Sequence, residues 1–277
     1  MKWLITGAAG MVGTDLRNEL ASRGEDVVAL AKSDLDIANR DEVLRFVTDA
    51  RPDFIVNCAA YTKVDLAETE ESLANAINGS AVEFLVEAAD RVDAHLVQIS
   101  TDFVFDGSSE RAYDVNDPTA PLSAYGRSKL IGEQAAARHT VVRTSWLFGI
   151  HGNNFVEAIR NQIRKGTNPL RVVNDQRGRP TYTPHLARAI IRIANLGARG
   201  VVHYADEPEC TWFDFACAIN EELGSPVQIE PVTSEQFVRP AKRPAYSVLS
   251  TERYERLTGV RPDSWRDGLR EYLSLRT

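Results

Sequence analysis

Short, wholly apolar runs that alternate with helix-length segments predict an α/β protein on a doubly wound parallel sheet, followed by a smaller C-terminal lobe. Three observations lead there. The apolar runs are continuous rather than alternating, as strands are when helices cover both sheet faces. A turn of spaced glycines follows the first run, and beyond residue 150 the rhythm breaks into short segments punctuated by proline.

Trp3-Leu4-Ile5-Thr6 reads as the first strand, and a helix follows near residues 12–22. Asp26-Val27-Val28-Ala29-Leu30 is the second strand, with a helix over 40–49. Phe54-Ile55-Val56-Asn57 is the third, followed by a long helical stretch over about 72–92. His95-Leu96-Val97-Gln98-Ile99-Ser100 is the fourth. A helix over 125–137 precedes the fifth, Thr140-Val141-Val142-Arg143-Thr144. Nine prolines from Pro169 to Pro262 then break the chain, leaving short helices over 211–223, 251–257 and 265–275. The expected organisation is a nucleotide-binding unit over 1–150, joined by parts of 170–205, with 151–277 forming most of a lobe that closes over a substrate. There is no internal repeat and no low-complexity segment.

A chain of 277 residues, 43% of them hydrophobic, has enough apolar material for a full core. Its net charge of −7 argues against nucleic acid as a partner, because a phosphate backbone calls for a basic face. The three cysteines, Cys58, Cys210 and Cys217, form no CxxC pair and no metal-type cluster, so neither a disulfide framework nor a metal is expected. The first apolar run is too short for a signal peptide, and no stretch approaches the ~20 apolar residues of a membrane span. A cytoplasmic protein with no membrane partner is expected.

The first strand leads into Thr6-Gly7-Ala8-Ala9-Gly10-Met11-Val12-Gly13, a G-x-x-G-x-x-G turn. Glycines there allow a tight turn, a close approach to a pyrophosphate and close helix packing, while the helix start offers free N–H groups to the phosphates. Directly after the first strand of a βα series, this predicts a Rossmann-type dinucleotide site at Gly7, Gly10, Met11, Val12 and Gly13. An acid at the end of the second strand would bind the 2′-hydroxyl of NAD, and a base would suit the 2′-phosphate of NADP. The sequence there is Leu30-Ala31-Lys32-Ser33, with no acid before Asp34, which favours NADPH over NADH with Lys32 as the phosphate contact. A solvated loop lysine is the competing reading of Lys32.

Tyr125 and Lys129 lie four apart, which on a helix puts both on one face. A phenol with a pKa near 10 exchanges protons poorly at neutral pH unless its anion is stabilised, and a neighbouring ammonium does that. The spacing is common in sequences. Its weight comes from Ser100-Thr101-Asp102 at the end of the fourth strand, the edge at which open α/β sheets bind ligands. From there the Thr101 hydroxyl can bond a substrate carbonyl beside the Tyr125 hydroxyl.

Together these segments resemble the extended short-chain dehydrogenase/reductase family over nearly the whole chain, and within it the reductases of nucleotide-linked 4-keto-6-deoxy sugars. The matching stretches are residues 7–13, 35–37, 51–53, 57–68, 100–107, 125–129, 143–149, 152–155, 174–181 and 242–244. The resemblance implies that Asp36 and Ile37 flank an adenine and that Ala60, Tyr61 and Thr62 contact the cofactor. It implies that Trp146 and Asp102 border the sugar, with Asn154 and Arg243 nearer its diphosphate. A core aromatic is the competing reading of Trp146, and a solvated basic loop that of Arg243.

The implied reaction is NADPH-dependent reduction of the C4 ketone of dTDP-4-dehydro-L-rhamnose to dTDP-L-rhamnose. Tyr125 is the implied proton donor, Thr101 polarises the carbonyl, and Lys129 holds the nicotinamide ribose while lowering the Tyr125 pKa. Some family members bind a divalent metal at a dimer interface through glutamates. Here the corresponding stretches read Tyr182-Thr183-Pro184-His185 and Trp265-Arg266-Asp267, so no metal is expected and monomer or homodimer stays open. Phe103 stands where sugar dehydratases carry a glutamate, which disfavours dehydration. A reductase of another 4-keto-6-deoxy sugar and a non-catalytic NADP-binding regulatory subunit are the alternatives.

Overall fold

The structure is a computed structural model that describes residues 1–276; the last residue of the expected 151–277 lobe lies outside them. The first half runs β1 (Lys2–Thr6), α1 (Met11–Ser22), β2 (Asp26–Leu30), α2 (Arg40–Ala50), β3 (Phe54–Asn57), α3 (Glu71–Asn75), α4 (Ala81–Val92), β4 (His95–Thr101), α5 (Ala124–Ala135) and β5 (Thr140–Thr144). The second half adds β6 (Leu147–Phe148), α6 (Phe155–Arg164), β7 (Leu170–Val173), β8 (Arg177–Gly178), β9 (Thr181–Tyr182), α7 (Thr183–Asn195) and β10 (Gly200–His203). It ends with β11 (Cys210–Thr211), α8 (Trp212–Glu222), β12 (Ile229–Val232), α9 (Glu252–Thr258) and α10 (Trp265–Ser274).

Six strands form one parallel sheet in the order β10-β5-β4-β3-β1-β2. The order reverses between β1 and β3, which opens a crevice at their carboxyl ends. On one face, Val12, Leu16 and Leu20 of α1 pack with Leu186, Ile190 and Ile193 of α7 on Trp3, Ile5 and Val56. On the other, Val43, Leu44 and Val47 of α2 pack with Val82, Leu85 and Ala89 of α4 on Leu4, Ile55 and Leu96. Both sheet faces are thus dry, and this is why the strands read as unbroken apolar runs. A separate core of Phe148, Val156, Ile159, Val172, Phe215, Trp265 and Tyr272 holds the second-half elements together.

Two helices were not foreseen in the sequence. Pro184 reads as a breaker, yet it sits in the first turn of α7, where a missing N–H costs nothing. α6 is capped by Asn154, whose side chain accepts from Glu157 N at 3.1 Å. The stretch expected as one helix over 72–92 carries a π turn at Ala76–Ser80 between α3 and α4.

Candidate active site

The glycine turn is built as its spacing requires. Gly7 has φ +64°, and a Cβ on it would stand 2.5 Å from Ala59 N and 2.7 Å from Ala59 Cα. No L-residue takes that backbone cheaply and none would fit. Gly10 is the N-cap of α1 with no side-chain cap, so the first amides of α1, at Met11, Val12 and Gly13, are left without intrahelical partners. No acid stands in that first turn to repel a phosphate. At the end of β2, Lys32 is exposed, while the Asp34 carboxylate is folded back to accept from Ala31 N at 2.8 Å.

Buried polar side chains link the cofactor turn to the catalytic edge. Thr6 donates to Asn57 Oδ1 at 2.5 Å, Asn57 Nδ2 donates to Gln98 Oε1 at 2.7 Å, and Gln98 Nε2 donates to Ile99 O at 2.8 Å. Lys129 Nζ reaches the same carbonyl at 2.6 Å. Polar residues at Asn57 and Gln98 inside apolar strands were the available signal, because a buried amide must find partners.

Tyr125 and Lys129 stand on one face of α5, opposite the end of β4. The Thr101 hydroxyl donates to Asp102 Oδ1 at 3.1 Å and accepts from Phe103 N at 3.2 Å, and it favours ionisation of the neighbouring Tyr125 phenol. The structure therefore brings Thr101, Asp102, Tyr125 and Lys129 together. Burial lowers the Lys129 ammonium to about 8, partly offset by Glu133. Burial and the Asp102 charge push the Tyr125 phenol up to about 12, against the pull of the Thr101 hydroxyl. The Lys129 ammonium is given to Ile99 O, and Asp102 and Thr101 are the neighbours that act on Tyr125 beside its burial.

Behind these groups lies an ion pair that sequence reasoning missed. Arg143 donates to Glu133 at 2.7, 2.9 and 3.1 Å, with both side chains buried, and Ser100 donates to Glu133 Oε1 at 2.5 Å. Arg143 also meets His203 at 3.3 Å, and burial beside that guanidinium holds His203 down at about 3.

The remaining expected site residues divide. Trp146 has φ +47°, rare for a bulky side chain; its ring stacks on Trp212 at 3.6 Å and covers Gly178, where a Cβ would come within 2.5 Å of it. Ile37 is buried in the core beneath α2, and Asp36 turns its carboxylate to Ala38 N at 3.0 Å. Ala60 is half-buried and Thr62 exposed. Tyr61 turns its ring inward, giving its hydroxyl to Glu70 at 2.7 Å, while Asn78 in the π turn holds its backbone N–H and carbonyl. Asn154 spends its amide on the α6 cap and on Gly149 O at 2.7 Å. Arg243 forks onto both oxygens of Asp65 at 3.0 and 3.1 Å, tying the 241–243 segment to the loop after β3. Both side chains expected near a diphosphate are thus engaged within the protein.

A parallel sheet with a glycine turn at its switch point, and Thr, Tyr and Lys converging on the next strand's end, define the class of the extended short-chain dehydrogenases/reductases. Comparison with known proteins narrows this. The chain matches the family described as the RmlD substrate binding domain over residues 1–277, and it belongs to that family. It is 44% identical to a probable dTDP-4,6-dihydroxy-2-methyloxan-3-one 4-ketoreductase of Streptomyces antibioticus, over 98% of this chain and 94% of that one. It is 41% identical to the dTDP-4-dehydrorhamnose reductase of Mycobacterium tuberculosis, over 96% and 90%. Among solved structures, the dTDP-4-dehydrorhamnose reductase of Bacillus anthracis in complex with NADP superposes with a TM-score of 0.94 at 38% identity, covering 100% of this chain and 99% of that one.

Proposed function

We propose that this chain is an NADPH-dependent reductase of a dTDP-linked 4-keto-6-deoxy sugar, converting dTDP-4-dehydro-L-rhamnose to dTDP-L-rhamnose in nucleotide-sugar biosynthesis. The convergence of Thr101, Tyr125 and Lys129 beside the glycine turn carries this reading. The turn suits a dinucleotide because Gly7 takes a left-handed backbone pressed against Ala59, which only glycine allows, and the α1 N-terminus carries no side-chain cap. When bound, the cofactor supplies a hydride. Gly7, Gly10 and the amides of Met11, Val12 and Gly13 hold its pyrophosphate, and Lys32 its 2′-phosphate. Asp36 and Ile37 flank the adenine, Ala60, Tyr61 and Thr62 line the path beyond β3, and Lys129 and Tyr125 hold the nicotinamide ribose.

In this reading Thr101 donates to the C4 carbonyl oxygen and Tyr125 Oη gives the proton that completes the alcohol. Trp146 and Asp102 border the sugar; Asn154 and Arg243 lie toward the diphosphate. Residues 1–150 with parts of 170–205, including α7 and β10, bind cofactor, and the rest of 151–277 binds sugar. Three unpaired cysteines fit a cytoplasmic protein. The Streptomyces antibioticus relative favours a second reading, a reductase of a different dTDP-linked ketone. The test is NADPH oxidation with dTDP-4-dehydro-L-rhamnose and product configuration by NMR. Tyr125→Phe is expected to lose about 100-fold or more in kcat while binding NADPH as before; near wild-type turnover by that variant would sink the assignment.

A further inference from the structure

Trp146 lies two residues past Thr144, and Thr144 pairs with Thr101 across β5 and β4, so Trp146 stands beside the carboxyl edge that carries the catalytic groups. A second indole comes from the lobe. The ring of Trp212, the first residue of α8, stacks on Trp146 with centroids 3.6 Å apart and planes within 8°. Both are half-buried, whereas the other two tryptophans, Trp3 and Trp265, are shut inside the two cores. The pair is firmly held. Phe155 at the start of α6 packs on Trp212 at 4.6 Å, and a Thr211–Asp214 capping box with bonds of 2.9 and 3.0 Å fixes the turn that presents Trp212. A Cβ on Gly178 would stand 2.5 Å from the Trp146 ring, so that edge of the ring rests on bare backbone. Trp146 itself keeps φ +47°, a backbone that a bulky residue adopts only where its surroundings impose it.

A ketone is flat, so hydride can reach either face and give either configuration of the alcohol. In a six-membered sugar ring, C4, whose oxygen meets Thr101 and Tyr125, and C1, which carries the diphosphate, are opposite corners. Holding both still lets the ring turn over about the line that joins them and exchange its faces. Only a contact to one side of that line selects a face. The two sides differ in chemistry: C2 and C3 carry hydroxyls, whereas C5 of a 6-deoxy sugar carries a methyl. An apolar indole surface accepts the methyl and leaves hydroxyls without partners.

We propose that Trp212 is a positioning residue: stacked on Trp146, it completes a two-indole wall that takes the methyl side of the sugar and thereby fixes the product configuration at C4. This rests on the reductase reading above. Trp212 acts through Trp146 and not on the reacting atoms, and neither indole makes or breaks a bond. Without the stack, the Trp146 ring keeps only its edge contact with Gly178, and the wall no longer stands in one place.

Trp212→Leu tests this, with Trp212→Phe, which keeps a ring, as the conservative partner. Each is assayed with NADPH and dTDP-4-dehydro-L-rhamnose, and the share of the C4 epimer in the product is read by NMR. Trp212→Leu is expected to raise that share about ten-fold or more, the discrimination that one methyl provides against an apolar surface. It should also raise KM for the sugar but not for NADPH, while Trp212→Phe returns most of the selectivity. A purely structural role would lower turnover and leave the epimer share as it was, and that result overturns the proposal. A measurement on wild type stands if the variant does not fold. A dTDP-linked 4-keto pentose has hydrogen in place of the methyl, so wild type should reduce it to both C4 epimers. A single configuration, as pure as with the 6-deoxy sugar, overturns the proposal. No NADPH oxidation by wild type on any dTDP-linked 4-keto sugar refutes the reductase reading itself.

Discussion

Arg143→Met tests what holds the end of β4 in place. Arg143 gives Glu133 three hydrogen bonds of 2.7–3.1 Å, and the two side chains are 5% and 4% exposed. Removing the guanidinium leaves Glu133 as a buried anion with the Ser100 hydroxyl as its one hydrogen bond and the Lys129 ammonium as its nearby charge, a change that costs ~3–5 kcal/mol. Glu133→Leu strands Arg143 in the same way and costs a similar amount. Replacing both with hydrocarbons removes two desolvation penalties with the attraction, so the double variant should return to within ~2 kcal/mol of wild type, less about 1 for the Ser100 hydroxyl left without its acceptor. A double-mutant cycle by urea denaturation, with slopes checked for constancy, reads the coupling directly. The reasoning fails if Arg143→Met costs under ~1 kcal/mol, or if the double variant costs the sum of the singles.

Gly7→Ala should weaken dinucleotide binding about ten-fold or more, since the left-handed backbone alone costs ~1–2 kcal/mol before the contact with Ala59 N is relieved. Calorimetric titration with NADP reads this, and unchanged affinity would refute the tight-turn reading. Lys32→Ala should lower NADP affinity about ten-fold, the loss of one charge-assisted bond, and leave NAD affinity as it was. Equal effects on the two nucleotides would make Lys32 a solvated loop residue.

What the sequence disclosed and what it hid follow from the range of the interactions involved. The five early strands were legible because their burial on both faces is written in consecutive residues such as Ile55 and Val56. The glycine turn was legible because it is a local constraint at Gly7. By contrast, α7 was hidden because Pro184 carries opposite meanings inside a helix and at its first turn. The π turn at Ala76–Ser80 has no local signature; it exists because Asn78 must reach Tyr61 and Ser128 at once. The backbone of Trp146 was equally silent, being fixed by Trp212 and Gly178, 66 and 32 residues away in sequence. Asn154 and Arg243 show the limit from the other side, since a residue type suited to a phosphate suits a helix cap or a carboxylate just as well.

The Tyr125–Lys129 spacing illustrates how little a motif fixes by itself. Tyr125, Lys129 and Glu133 recur every four residues on one face of α5, and they meet three consecutive positions of β4: Thr101, Ile99 and Ser100. Four-residue spacing supplies the common face but not the distance or the register. Distance comes from glycine. A Cβ on Gly126 would collide with the Phe103 carbonyl just past β4, and one on Gly132 with the Asn78 carbonyl of the π turn, so α5 can lie this close only where side chains are missing. Register comes from the Glu133–Arg143 pair, which locks the last turn of α5 to β5 while Glu133 accepts from Ser100 beside Thr101. A chain with Tyr and Lys four apart but without those glycines and that ion pair would keep the pattern in its sequence and lose the alignment with Thr101 on which proton transfer depends.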